Sequence, residues 1–352
     1  KLMSFIGSEG TNAYTSTDMT VYVEQIPSNQ IENWARIQAD RFMNPVLRGF
    51  HTELETVYEE KNMSLTKDFR KALEALDGML FPDHPYGTQT VLGTQEHLKN
   101  PSITNIKNYQ KTYYVPNNIA ICLSGDFDPD EMVAVIEKYF GQMQPNKDLP
   151  EITLATSSVI ESPVEKDVYG LDAENIMIGW KYPGAKSEDA LVAEVAASVL
   201  YNGSAGLIDL NINQQQKVLG AYGMSYGRPD AGEFILMGNP KQGQTLEEVR
   251  DILLAEVGKL RNGEFDEAVL NGTINNMKLS LMRSLEDNGS RADMFVQSFI
   301  NGTDWADDVK SIERMQEVTK EDIMNWAGRY LGENSYAIVY KRMGEDKNVI
   351  KV

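Results

Sequence analysis

IKNYQKTYYVPNNIAIC (106–122) and IMNWAGRYLGENSYAIV (323–339) lie on one another at an offset of 217 residues. Ile106, Tyr109, Tyr113, Asn117, Ala120, Ile121 and Cys122 fall on Ile323, Trp326, Tyr330, Asn334, Ala337, Ile338 and Val339. Each copy reads as an amphipathic helix with aromatic residues four apart, a short turn carrying Asn, and an apolar strand. Upstream, NAYTS (12–16) has a weaker echo in GAYGMS (220–225), and each echo is followed by a strand, a Pro and a helix. Recurrence of two such units in one order predicts duplication of an α+β unit, with both copies on this chain.

Working outward, 11–27 reads as one or two strands and 28–43 as a helix. Two further helices are expected over 47–62 and 67–79, and a Pro- and Gly-dense loop over 81–94. IAICLSG (119–125) reads as a strand. Residues 141–163 hold Pro145, Pro150 and Pro163 with little periodicity and read as a linker. Strands are expected at 164–170 and 174–182, a helix at 187–201 and a hairpin over 220–240. Long helices over 245–261 and 264–286 follow, then a helix near 290–300, a helix over 319–330 and a closing strand. The fold class is α+β: two tandem homologous domains, each a mostly antiparallel sheet packed against helices. The expected boundaries are 1–145, a linker at 146–163, and 164–352.

The chain has 352 residues, 41% of them hydrophobic, which suffices for two packed domains. Its net charge of −19 argues against a general nucleic-acid surface. No run approaches the roughly 18 apolar residues of a membrane-spanning helix. The lone Cys122, in IAICL, reads as a small core residue and cannot form an internal disulfide. The chain opens with KLMSFI, the last turns of a helix, and reads as a piece of something longer.

One helix breaks the ordinary pattern. In FHTELETVYEE (50–60), Phe50, Glu53, Val57 and Glu60 form one helical stripe. Such a stripe is normally apolar because it faces a core. Glu60 lies about 20° around the helix from Glu53, whereas Glu59 lies about 120° away, so Glu60 is the better partner. From spacing alone a solvated acidic face and a site carboxylate pair both remain open. The second copy, NGEFDEAVLNGTINNMKLSLM (262–282), has no second carboxylate seven residues on. A duty confined to one copy points to a site.

GTNAYTSTDMTVY (10–22), the F-x-x-E-x-x-x-V-x-x-E of 50–60, HPYGTQTVLGT (84–94) and YYVPNNIAICLSGDFD (113–128) together resemble the insulinase/pitrilysin family of zinc metallopeptidases. The resemblance spans essentially the whole chain. It implies a zinc-dependent metalloendopeptidase acting on extended peptides. Glu60 falls at the position of the third zinc ligand and Glu53 at that of a supporting, non-ligating acid. Asn12 and Ala13 match an edge strand that meets the substrate. The family's other two ligands and its general base come from H-x-x-E-H, which is not present. The chain's histidines are His51, His84 and His97, and no two lie within four residues. His51 projects about 160° from Glu53. His84, in HPYG, reads as structural and His97 as a surface helix residue. Arg228 and Tyr226 read as part of a hairpin rather than as substrate contacts.

In family order the motif lies N-terminal to Lys1. The zinc so implied belongs to the complete protein, and this chain alone is expected to be inactive. The expected partners are a peptide or protein substrate and a second half of the same enzyme or a homologous subunit. The alternative is a non-catalytic partner or scaffold subunit of the same family. By analogy with bacterial relatives, the cell envelope or periplasm is the expected location.

Overall fold

A computed structural model describes residues 2–151 and 158–346. The middle of the expected linker, 152–157, lies outside the described residues. The strands are β1 (Gly10–Thr15), β2 (Thr20–Gln25), β3 (Val164–Gly170), β4 (Asn175–Pro183), β5 (Gly220–Tyr226), β6 (Ala231–Asn239) and β7 (Ala337–Met343). The chain forms two compact units that do not follow chain order. The first comprises 1–62, 91–153 and 286–299; the second comprises 63–90, 154–285 and 300–352.

In the second unit the strand order is β3-β7-β4-β6-β5. Only β3 and β7 run parallel; the other pairs are antiparallel. Alternation along β4 sends Ile176, Ile178, Trp180 and Tyr182 to one face, where they meet the larger core with Phe234 and Leu236 of β6. That core is completed by the helices Asp189–Leu200, Leu246–Asn262, Glu267–Ser284 and Lys320–Tyr330. Met177 and Ile235 point to the opposite face, covered by the helix Asp68–Leu80. Ala72, Leu76 and Leu80, four residues apart, present one fully buried stripe to the sheet. Both faces of the sheet are thus packed, which explains why β4 is apolar almost throughout.

Close approach of this helix needs Gly179. A Cβ there would lie 2.8 Å from Leu80 Cδ1 and 3.1 Å from Leu76 Cδ1. Gly179→Val is expected to lower unfolding stability by about 1–3 kcal/mol, measured as a shift in urea midpoint at unchanged m-value.

In the first unit β1 and β2 form an antiparallel hairpin with Ala13 opposite Tyr22. Ser16 N–H to Met19 O closes its turn. The helix Ile31–Met43 packs on Pro129–Phe140, with the Trp34 and Phe140 rings 6.3 Å apart. Glu24 of β2 accepts from Trp34 Nε1 and Gln38 Nε2, both at 2.5 Å, tying the hairpin to that helix.

The repeat is visible in three dimensions. The helices Ile103–Tyr113 and Lys320–Tyr330 have the same length and the same 217-residue offset. The strands after them differ. β7 is bonded by β3 on one side and β4 on the other. Residues 119–124, expected to be a strand, are not one. Ile119 keeps extended dihedrals (φ −127°, ψ 136°), but among the described residues no strand pairs with this run. A strand is defined by its ladder, and without a neighbour the extended run stays half-exposed. Cys122 is accordingly half-buried rather than a core residue, and that burial raises its thiol pKa.

Candidate carboxylate helix and peptide edge

The helix Phe50–Leu65 carries Glu53 and Glu60. Both side chains are exposed, and among the described residues neither makes a hydrogen bond or ion pair. Its repeat counterpart, Glu267–Ser284, starts at the same offset. Glu53 therefore matches Leu270, Val57 matches Ile274 and Glu60 matches Met277. Leu270 and Ile274 are buried in the larger core and Met277 packs against it. The second copy uses this stripe for packing; the first places two carboxylates on it.

Asn12 and Ala13 lie on β1, whose six residues are all exposed. The Ala13 N–H points away from β2 and donates to Asn12 Oδ1 at 2.9 Å, its one partner among the described residues. On the matching strand β5, the Asn213 side chain occupies the equivalent edge. Its Nδ2 donates to Ala221 O at 2.9 Å, and its Oδ1 accepts from Ala221 N–H at 2.9 Å. A side-chain amide there imitates a neighbouring strand and closes the edge. Among the described residues no such bracket covers β1. Among the described residues no hydrogen bond or ion pair joins Asn12 or Ala13 to the carboxylate helix.

The histidines are dispersed. His51 is exposed, edge-on to Phe50 at 5.7 Å. His97 is exposed and completes a capping box with Thr94. His84 is buried, and its Nδ1 accepts the Tyr86 N–H at 3.1 Å. A catalytic zinc centre takes three protein ligands. Among the described residues no group of three His, Cys, Asp or Glu could hold a metal. Glu60 with Glu53 alone does not fit zinc.

Sequence reasoning missed a polar cluster inside the second unit. Arg228, in the β5–β6 turn, sets Nη2 3.2 Å from Glu233 Oε2 and 3.9 Å from Asp77 Oδ1. Its guanidinium lies over the Tyr86 ring at 4.0 Å and the Phe81 ring at 4.9 Å. The one available signal was Glu233, a charge inside an apolar strand.

A duplicated α+β fold with a paired-carboxylate helix in one copy only defines the class: a metallopeptidase-type fold. The profile of the family described as the peptidase M16 inactive domain matches residues 102–277, half of the chain. The chain belongs to the peptidase M16 family, the insulinase/pitrilysin lineage indicated by its motifs. It is similar to the zinc protease PqqE of Helicobacter pylori, 22% identical over 94% of this chain and 76% of that protein. A crystal structure of a protease from Helicobacter pylori superposes with a TM-score of 0.90 at 18% identity, covering 97% of this chain and 83% of that one. The periplasmic protease PqqL from Escherichia coli superposes at 0.76 and 15% identity, over 95% of this chain but 39% of its own. Among the described residues no helix is long and apolar enough to cross a membrane.

Proposed function

We propose that this chain is the peptide-receiving part of a zinc-dependent metalloendopeptidase. Glu60 serves as one metal ligand, Glu53 as its supporting carboxylate, and Asn12 and Ala13 as the edge that takes an extended peptide. The observation carrying this reading is the stripe itself. Where the second copy has Leu270 and Met277 against its core, the first has two exposed acids that pair with nothing among the described residues. The open edge at Ala13, against the closed edge at Ala221, agrees with strand addition by substrate.

The zinc-binding histidines and the general base belong to polypeptide outside these 352 residues, so the chain alone is inactive. Its partners are then a peptide or protein substrate and the remaining half of the enzyme or a homologous subunit. Residues 1–145 act as the truncated catalytic-type domain, joined through 146–163 to the inactive repeat at 164–352. The E. coli relative's periplasmic setting supports a cell-envelope location.

The test compares the chain alone with the product of its complete reading frame. Zinc content and cleavage of a quenched fluorogenic peptide are measured in both. The chain alone is expected to hold no tight zinc and cleave nothing. The complete product is expected to hold one zinc per chain. Glu60→Gln is expected to abolish its binding, and Glu53→Gln to weaken it by about 10–100-fold. Ala13→Pro removes the outward N–H and is expected to weaken peptide binding by about 2–10-fold without unfolding the hairpin. One tight zinc on the isolated chain, or full activity in Glu60→Gln, overturns the reading. A complete frame without H-x-x-E-H favours instead a non-catalytic partner or scaffold subunit.

A further inference from the structure

The buried charge cluster of the second unit is used neither by the carboxylate helix nor by the peptide edge. Glu233 sits on β6 facing the helix Asp68–Leu80, and it is 4% exposed. Its Oε2 and Asp77 Oδ1 on the helix flank the same nitrogen of Arg228, Nη2, at 3.2 and 3.9 Å. Two buried carboxylates beside one guanidinium leave an uncompensated negative charge unless one of them carries a proton. Arg228 supplies one positive charge to the pair.

The geometry points to a proton-operated latch: the Asp77 and Glu233 pair holds one proton beside Arg228, and losing it loosens the β5–β6 turn from the helix Asp68–Leu80. With the proton in place, two carboxyls and one guanidinium balance to neutrality. Without it, a buried net negative charge remains, and the low-dielectric surroundings penalise it. The latch joins the helix Asp68–Leu80 to β6 and the β5–β6 turn, within the unit that includes 63–90. Arg228 is the pivot, since it is caged by Phe81 and Tyr86 from the 81–88 segment and ion-paired from the other side.

The surrounding groups leave the pair as the element that titrates. Arg70, on the same helix, adds a weaker positive field at Asp77. Lys181 stands opposite Glu233 on β4, but its ammonium is directed to the carbonyls of Leu80 and Ser158. Tyr182, beside it, is bonded to Ser225 and is pushed up to about 12, chiefly by burial, so it stays neutral. His84 accepts through Nδ1 and therefore carries its proton on Nε2, which faces Asp230 Oδ2 at 3.8 Å. The Asp230 N–H in turn donates to Tyr86 Oη at 3.3 Å.

Burial, then repulsion from Asp77, pushes Glu233 up to about 8; burial also raises Asp77. A carboxyl whose folded pKa is raised holds its proton when folded and releases it on unfolding. Its contribution is therefore favourable on the acid side. It is lost as pH rises from the unfolded carboxylate range, about 4.3, to about 8.

The test measures urea unfolding of the full chain and of Glu233→Gln at pH steps between 5 and 9. The Gln amide can donate to Asp77 while its carbonyl accepts from Arg228, which imitates the protonated state. The wild-type folding constant is expected to fall by up to tenfold per pH unit between 5 and 8 relative to the variant. Amide-exchange protection of residues 227–232 is expected to fall with it in wild type and hold in Glu233→Gln. If Glu233→Gln does not fold, Asp77→Asn provides the same readout. Proton release on unfolding of the wild type near pH 6.5, measured in two buffers, checks it independently. Parallel pH curves for wild type and the folded variant, or no extra proton released, would overturn the latch.

Discussion

Asp68→Ala is expected to destabilise the protein by about 3–5 kcal/mol, among the largest effects of any single change. The reason is the partner it leaves behind. Lys341 on β7 is 0% exposed, and its ammonium lies 3.0 Å from Asp68 Oδ2. The carbonyls of Gly170, Asp172 and Ala173 share its two remaining protons. Asp68 also accepts the Asp172 N–H at 2.8 Å and pairs with Lys71 at 3.2 Å. Gly170 makes room for it, since a Cβ there would fall 1.9 Å from Asp68 Oδ1. Removing the carboxylate strands an ammonium with no counter-ion in the interior. The double change Asp68→Leu with Lys341→Met should recover most of the loss, because it removes the charge as well as its partner. Burial raises the Asp68 pKa, but the bonds from Asp172, Lys341 and Lys71 outweigh it and hold the carboxyl below its ordinary value. Its stabilisation is therefore complete above the unfolded aspartate value of about 3.9 and is lost as pH falls below it. Urea unfolding from pH 3 to 7 checks both points. A change under about 1 kcal/mol in Asp68→Ala at neutral pH would refute the account.

Phe81→Ala is expected to cost about 3–5 kcal/mol. Phe81 is fully buried in the smaller core, edge-on to Tyr86 at 5.7 Å. Arg228 and Lys181 lie over its ring at 4.9 and 5.9 Å. Truncation leaves a cavity and removes the apolar wall that seats two cations. Phe69, in the first turn of the helix Asp68–Leu80 that precedes Phe81 but 49% exposed, supplies the control, since Phe69→Ala should change stability by about 0.5 kcal/mol or less. Equal effects at the two positions would mean that residues 63–90 are not integral to the second unit.

Much of the architecture could be read from residue order. The repeat helices fall at the expected offset. Strands β3 to β7 and the long helices around them stand close to where periodicity and capping signals predict them. These features are local: a helix stripe or a strand alternation is written within a dozen residues. The run 119–125 fails because its apolar, β-branched pattern specifies an extended backbone but cannot supply a neighbour. β7, its repeat counterpart, has two. Likewise the role of Glu233 is not legible in the sequence, because a charge within β6 has meaning only once Asp77 and Arg228 meet it in the fold.

The amino-acid sequence by itself determined the duplication, the α+β class, the lone paired-acid helix of Glu53 and Glu60, and the absence of H-x-x-E-H. Each follows from residue identity and spacing. Tertiary structure alone decided that Asp68–Leu80 covers the second unit's sheet. It also decided that Asn213 closes one edge strand while the edge at Ala13 stays open, and that the counterparts of the two glutamates face a core. Those outcomes depend on which surfaces meet, and burial and hydrogen bonding across long sequence separations set that.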